Sequence, residues 1–266
     1  MSRFSSNQAS FFDADHYFKG VLPGNDWSYT YRDRILPSIN ERVFSSLYDE
    51  PEDLPKTPFP ILASLLVFMG FEKFTWPEAV SQLRRRLDWQ CATNTTFIEQ
   101  PVDPKELLSF CLLVQIDDAA AGEFSRIMHG FVEIRGYAQE PSEEVASGIS
   151  EWLYMLSRYG FFERTIANSL RAPAVNESDL YDNIKKRLSR NYVDGEHEPA
   201  SKEPEYIKGQ IRLMARDAYR LAIAFREHKR LRHHKAFRTL TGLLDHFCVV
   251  NEQKGRDPGI VVKGIG

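Results

Sequence analysis

The chain has 266 residues, with 34 Lys and Arg against 37 Asp and Glu, a formal net charge of −3. At 42% hydrophobic, 27% charged and 12% aromatic residues it can bury a large core, which excludes wholesale disorder, and its length suits one large domain or two smaller ones. A near-neutral total also argues against a uniformly basic nucleic-acid binder. No run reaches the roughly 18 apolar residues of a membrane span, and the opening residues Met1–Ser6 lack an apolar signal segment. Cys91, Cys111 and Cys248 include no CxxC pair. These features lead us to expect a cytoplasmic protein with reduced, buried thiols and no membrane partner.

The charge is unevenly spread. Glu99–Glu144 holds ten acidic residues against three basic ones, and Glu205–Arg238 holds ten basic against three acidic, so local nets of −7 and +7 cancel in the sum. Opposite-sign segments suggest either mutual docking or a polyanionic partner for the basic one.

In chain order, a loop-rich lead contains a short helix near Ser38–Tyr48, with Ser38 as cap and Glu41 at the capping-box spacing. A connector with Pro51, Pro55, Pro58 and Pro60 follows, then an all-round apolar helix over Ile61–Phe71. Thr75-Trp76-Pro77-Glu78 starts a helix that the spacing of Val80, Leu83 and Leu87 extends to about Trp89. Asp103-Pro104-Lys105-Glu106 starts another helix, Asp117–Glu133 forms the next, and Gly136 and Pro141 break the pattern. Helices are expected over Val145–Leu170 and Ser178–Tyr192, followed by a polar linker, Asp194–Pro204. Further helices are predicted over Glu205–Lys229 and His234–Asn251, and the tail Gly259–Gly266 alone has strand-like character, with an abrupt end. The expected fold class is all-α: an N-terminal helical domain over 1–138, a second helical region over 139–258 and a truncated strand-like tail over 259–266.

Within Glu205–Lys229, Lys208, Arg212, Arg216 and Arg220 recur every fourth residue. Like charges at that spacing destabilise an isolated helix by about 0.2–0.5 kcal/mol per pair, so the stripe points to a polyanion. Lys229, Arg230 and Arg232 extend it, in a pattern suited to phosphate contact rather than base readout. A second cluster, Arg84-Arg85-Arg86, lies beside Asp88-Trp89 on the later helix of a helix–turn–helix-like pair, a motif that can enter the major groove, although helical hairpins are also simply common. His228, His233, His234 and His246 lack metal-ligand spacing, so no metal site is expected. The acidic pairs Asp13/Asp15 and Asp117/Asp118 do not read as catalytic, because adjacent acids on a helix point apart. There is no GxGxxG, GxxxxGK[ST] or GxSxG motif, and no catalytic residue is assigned.

Leu22-Pro23-Gly24-Asn25-Asp26-Trp27, Leu62-Ala63-Ser64-Leu65-Leu66-Val67-Phe68, Phe74-Thr75-Trp76-Pro77-Glu78-Ala79 and Leu83-Arg84-Arg85-Arg86-Leu87-Asp88-Trp89 occur in that order. This succession resembles the N-terminal helical domain of bacterial insertion-sequence transposases, and Val145-Ala146-Ser147-Gly148-Ile149, Leu156-Ser157-Arg158-Tyr159 and Arg216-Asp217-Ala218-Tyr219 resemble later stretches of that family. The resemblance implies element-end DNA as partner, with a homo-oligomer as an allowed assembly. It also implies an RNase H-like core in which three carboxylates hold Mg²⁺ for DNA cleavage and strand transfer. Here Pro141 stands in the place of the first Asp, with Glu140 and Glu143 off register, and the other two carboxylates would follow Gly266. The expectation is therefore the DNA-binding and assembly portion of a truncated or degenerate insertion-sequence transposase, catalytically inactive alone and needing no cofactor, since Mg²⁺ belongs only to an intact family member. The alternatives are a helical protein-interaction module whose acidic segment masks the basic stripe, and a nuclease completed by a separate polypeptide.

Overall fold

A computed structural model describes residues 18–95, 102–136, 142–176, 178–192, 198–251 and 259–265. The described chain is mostly helical, with one two-stranded ribbon. It divides into two units, the first ending at Leu153 and the second beginning at Tyr154. The division falls inside a helix, beyond the break near residue 138 that composition suggested. Asp13, Asp15, Glu99, Glu140, Pro141 and Asp194 lie outside the described residues.

The first unit opens with α1 (Trp27–Thr30), which runs into a π-helical turn over Tyr31–Ile35 and a 3-10 turn over Leu36–Ser38. α2 (Glu41–Ser45) is shorter than expected. Its cap is Asn40, which accepts from the Arg42 N–H, because Ser38 is already wound into the 3-10 turn; Glu123 takes the Asn40 N–H at 2.8 Å, the task expected of Glu41. α3 (Phe59–Glu72) is buried on nearly every side and forms the middle of this unit. It stops at Lys73, in the left-handed region with φ 56°. Gly70 is required by the close approach of a later helix: a Cβ there would lie 2.6 Å from Ile149 Cγ2.

α4 (Trp76–Arg85) begins with the anticipated capping box, in which Glu78 accepts from the Thr75 N–H at 2.9 Å. The single helix expected to Trp89 is broken at Arg86, which is extended (φ −95°, ψ 114°), and α5 (Leu87–Ala92) resumes beyond it. α6 (Pro104–Ile116) and α7 (Asp118–Ile134) start at Asp103 and Asp117, whose carboxylates accept from Lys105 N–H and Ala120 N–H. Trp27, Tyr31, Phe68 and Phe131 meet edge-on and tilted between α1, α3 and α7, with ring centroids 5.1–6.1 Å apart. The buried Tyr31 hydroxyl donates to Ser64 Oγ, which donates on to the Pro60 carbonyl, so both hydroxyls inside this apolar cluster have partners.

α8 (Ser142–Asn176) contributes to both units and continues through Pro173. In the second unit α9 (Ser178–Lys185) ends a full two turns before the expected Tyr192. The cause is a tertiary anchor on Ser189 and Tyr192, described below. α10 (Pro204–Glu227) buries Ile207, Ile211, Met214, Leu221 and Phe225, the stripe its sequence period indicates. After a 3-10 turn at Leu231–His233, α11 (Lys235–Phe247) gives way to β1 (Cys248–Asn251), which pairs antiparallel with β2 (Gly259–Val262). Gly259–Val262 of the tail is therefore the second strand of a two-stranded ribbon, and the residues Val249–Asn251, expected to be helical, belong to its first strand. β-branched Val249, Val250, Val261 and Val262 favour that pairing over a further helical turn. Cys248 and Val262 face inward, while Val249 and Val261 face out. Among the described residues no single helix is long and apolar enough to cross a membrane.

Candidate nucleic-acid interface

α3 and α4 meet at 105°, within the roughly 90–120° of a helix–turn–helix pair. Trp76, Ala79, Val80 and Leu83 bury one face of α4, leaving Arg84 and Arg85 exposed on its last turn. In a groove-reading helix the N-terminal residues meet base edges. Here the first turn of α4 carries Pro77 and a Glu78 carboxylate engaged in the cap, so this end offers no base-reading donor set. Arg86 departs from its expected role as a phosphate contact. Its guanidinium donates to both oxygens of Asp88 (3.0 and 2.6 Å) and to Glu72 (2.9 Å), and it lies 5.1 Å from the Trp89 ring centroid. A planar five-donor group suits such a fork, and the extended backbone at Arg86 places the side chain to make it.

Much of the acidic segment is likewise committed within this unit. Asp103 and Asp117 cap helices, and Glu106 accepts from the backbone of Lys56 and Thr57. Glu123 pairs with Arg126 at 2.7 Å, and that bond holds its carboxyl below the usual range.

The basic stripe on α10 is not uniform. Lys208 is half-buried and pairs with Glu205 at 3.3 Å, and Arg212 is half-buried. Arg216 is exposed and makes no ion pair among the described residues. Arg220 is exposed, donates to the Arg187 carbonyl at 3.3 Å and lies 3.6 Å from Asp217.

Asp217, one of the few acids in the basic segment, is completely buried. Its Oδ1 accepts from the Ser189 N–H (3.0 Å) and Oγ (2.9 Å), and its Oδ2 from the Ser189 N–H (2.9 Å) and the Tyr192 hydroxyl (2.8 Å). Burial first, then the Asp217 charge, pushes the Tyr192 hydroxyl far up, so it stays a donor. Beside it Arg190 donates to the Tyr159 hydroxyl (3.0 Å) and to the buried Glu163 carboxylate (3.1 Å). These bonds fasten residues 189–192 against α8 and α10. They end α9 early, and they hold the turn carrying the exposed Lys186 and Arg187 beside Arg220. Sequence reasoning missed Lys185, Lys186 and Arg187 as part of the basic surface. Their signal is the Lys-Lys-Arg run, which a helical pattern continued to Tyr192 hides.

Lys229, Arg230 and Arg232 are exposed around the 3-10 turn, which Leu231 anchors in the core. Arg232 Nε donates to His233 Nε2 at 2.9 Å, and His234 Nδ1 accepts the Ala236 N–H, so His234 caps α11. Among the described residues no three His, Cys, Asp or Glu side chains converge as metal ligands. The second unit thus carries three separate pieces of chain, 185–187, 216–220 and 229–232, that contribute cationic side chains. Phosphate groups are the ligands such donors recognise without reading sequence. No protein-family model matches the chain, and neither does any curated protein or solved structure.

Proposed function

We propose that the chain is a DNA-binding and assembly component of the kind found in insertion-sequence transposases, without strand-transfer activity of its own. The observation that carries the reading is the placement of exposed Arg216 on the helix whose buried Asp217 fastens the segment following Lys186 and Arg187. A fully buried carboxylate is costly unless it is heavily hydrogen-bonded, so the anchoring gives a cationic turn a fixed position. Fixed cations lose less entropy on meeting a phosphate backbone than mobile ones do. The exposed Arg84 and Arg85 of the first unit supply further phosphate contacts. A gel shift on duplex DNA tests the proposal: a shift at low salt that fades with added salt, and weakens with Arg187→Ala plus Arg216→Ala, supports it. Absence of a shift at low salt sinks it, and Mg²⁺-dependent nicking by the purified chain overturns the assignment of inactivity.

A protein-interaction role is the second reading. It is favoured by Val249 and Val261, which sit opposite each other on the outer face of the ribbon and are 46% and 54% exposed.

A further inference from the structure

A cleft of about 750 Å³ opens between α9, the turn after it and the outer half of α10. Ile184, Leu188, Leu221 and Ala224 supply its apolar wall, and the lining holds no Phe, Tyr or Trp. That composition suits a flexible aliphatic chain and offers no Phe, Tyr or Trp ring on which a nucleobase could stack. The cations meet at one end: Arg187 is exposed and makes no ion pair among the described residues, and Arg220, held by Asp217, donates to the Arg187 carbonyl. Glu227, the single acidic residue of the lining, and His228 lie two turns further along α10. The volume lies within the roughly 300–1,000 Å³ of small-molecule sites.

We propose that this cleft binds a free medium-chain acyl anion, with its aliphatic chain along Ile184, Leu188 and Leu221 and its carboxylate at Arg187 and Arg220. Charge complementarity at one end of an aliphatic cleft is what selects this ligand class. The assignment shares Arg187 with the DNA reading, but it is measured without nucleic acid, so either can fail while the other stands.

Decanoate titrated into the full chain, followed by calorimetry and by methyl shifts of Ile184 and Leu221, tests it. The expected result is saturable one-to-one binding, with decanol, which has the chain but no charge, binding roughly tenfold more weakly, as loss of a charge-assisted contact implies. Ala224→Phe, which fills the wall, and Arg187→Glu, a change at an exposed position that leaves the core intact, should each weaken decanoate at least about tenfold on the same grounds. Equal binding of decanol and decanoate, unchanged affinity in a folded Ala224→Phe protein, or retention only on phosphatidylglycerol vesicles would each overturn the proposal.

Discussion

Replacing Asp217 by Asn isolates the anchor on which the basic surface depends. The substitution conserves shape, so no cavity forms. The native carboxylate accepts four hydrogen-bond contacts from Ser189 and Tyr192 and faces Arg220 at 3.6 Å. Asn keeps one acceptor oxygen and turns an NH₂ group toward what were donors. The Ser189 or Tyr192 hydroxyl can rotate to accept, but the Ser189 N–H cannot. The loss is then one to two charge-assisted bonds at about 1.5–3 kcal/mol each, offset in part by the new contact, or about 2–4 kcal/mol in total. Urea unfolding followed by circular dichroism measures it. The same variant should release the 185–187 turn, visible as faster amide exchange at Leu188–Tyr192. A stability within about 0.5 kcal/mol of the parent, with exchange unchanged, would refute the anchoring argument.

Three further outcomes follow from the geometry. Arg86→Ala should destabilise the first unit by about 1–3 kcal/mol through loss of its fork to Asp88 and Glu72, whereas Arg84→Ala and Arg85→Ala should each stay within about 0.5 kcal/mol, all by urea unfolding. If Arg86 instead proves silent in stability and strong in DNA affinity, its structural role is misassigned. Burial pushes the Cys248 thiol up to about 11 from its ordinary 9.0, with Lys263 opposing. A pKa raised on folding gives stability that is fully present below pH 9 and is lost as pH rises toward 11. Cys248→Val should therefore flatten the alkaline limb of the stability–pH curve in that window, and an unaltered limb would contradict it.

Local signals were legible where the chemistry is local. Thr75 with Glu78, and the caps Asp103 and Asp117, mark helix starts because each satisfies backbone donors within three residues. The apolar period of Glu205–Lys229 gave the buried face of α10 for the same reason. Partners remote in sequence were not legible. Whether Arg86 points to solvent or to Glu72 depends on how α3 and α4 turn, and the anchor that ends α9 spans Ser189 to Asp217. Asp217 counted in the sequence only as an acid diluting a basic stripe, yet it organises that stripe. Val249 and Val250 extend the helical pattern of α11 on paper, and only pairing with Ile260 and Val261 makes them a strand. In the candidate interface, exposed Arg216, Lys229, Arg230 and Arg232 were visible as charges. The division of the stripe into paired Lys208, half-buried Arg212 and exposed Arg216 required the fold.

The central claim is that a fixed cationic surface on the second unit grips a phosphate backbone. The most direct measurement is the salt dependence of duplex affinity, by fluorescence anisotropy, for the parent chain, Arg216→Ala and the Arg187→Ala plus Arg216→Ala pair. Log affinity should fall linearly with log salt, with a slope that shrinks by about 0.9 for each phosphate contact removed. Affinity that is independent of salt, or a slope unchanged in both variants, would contradict it.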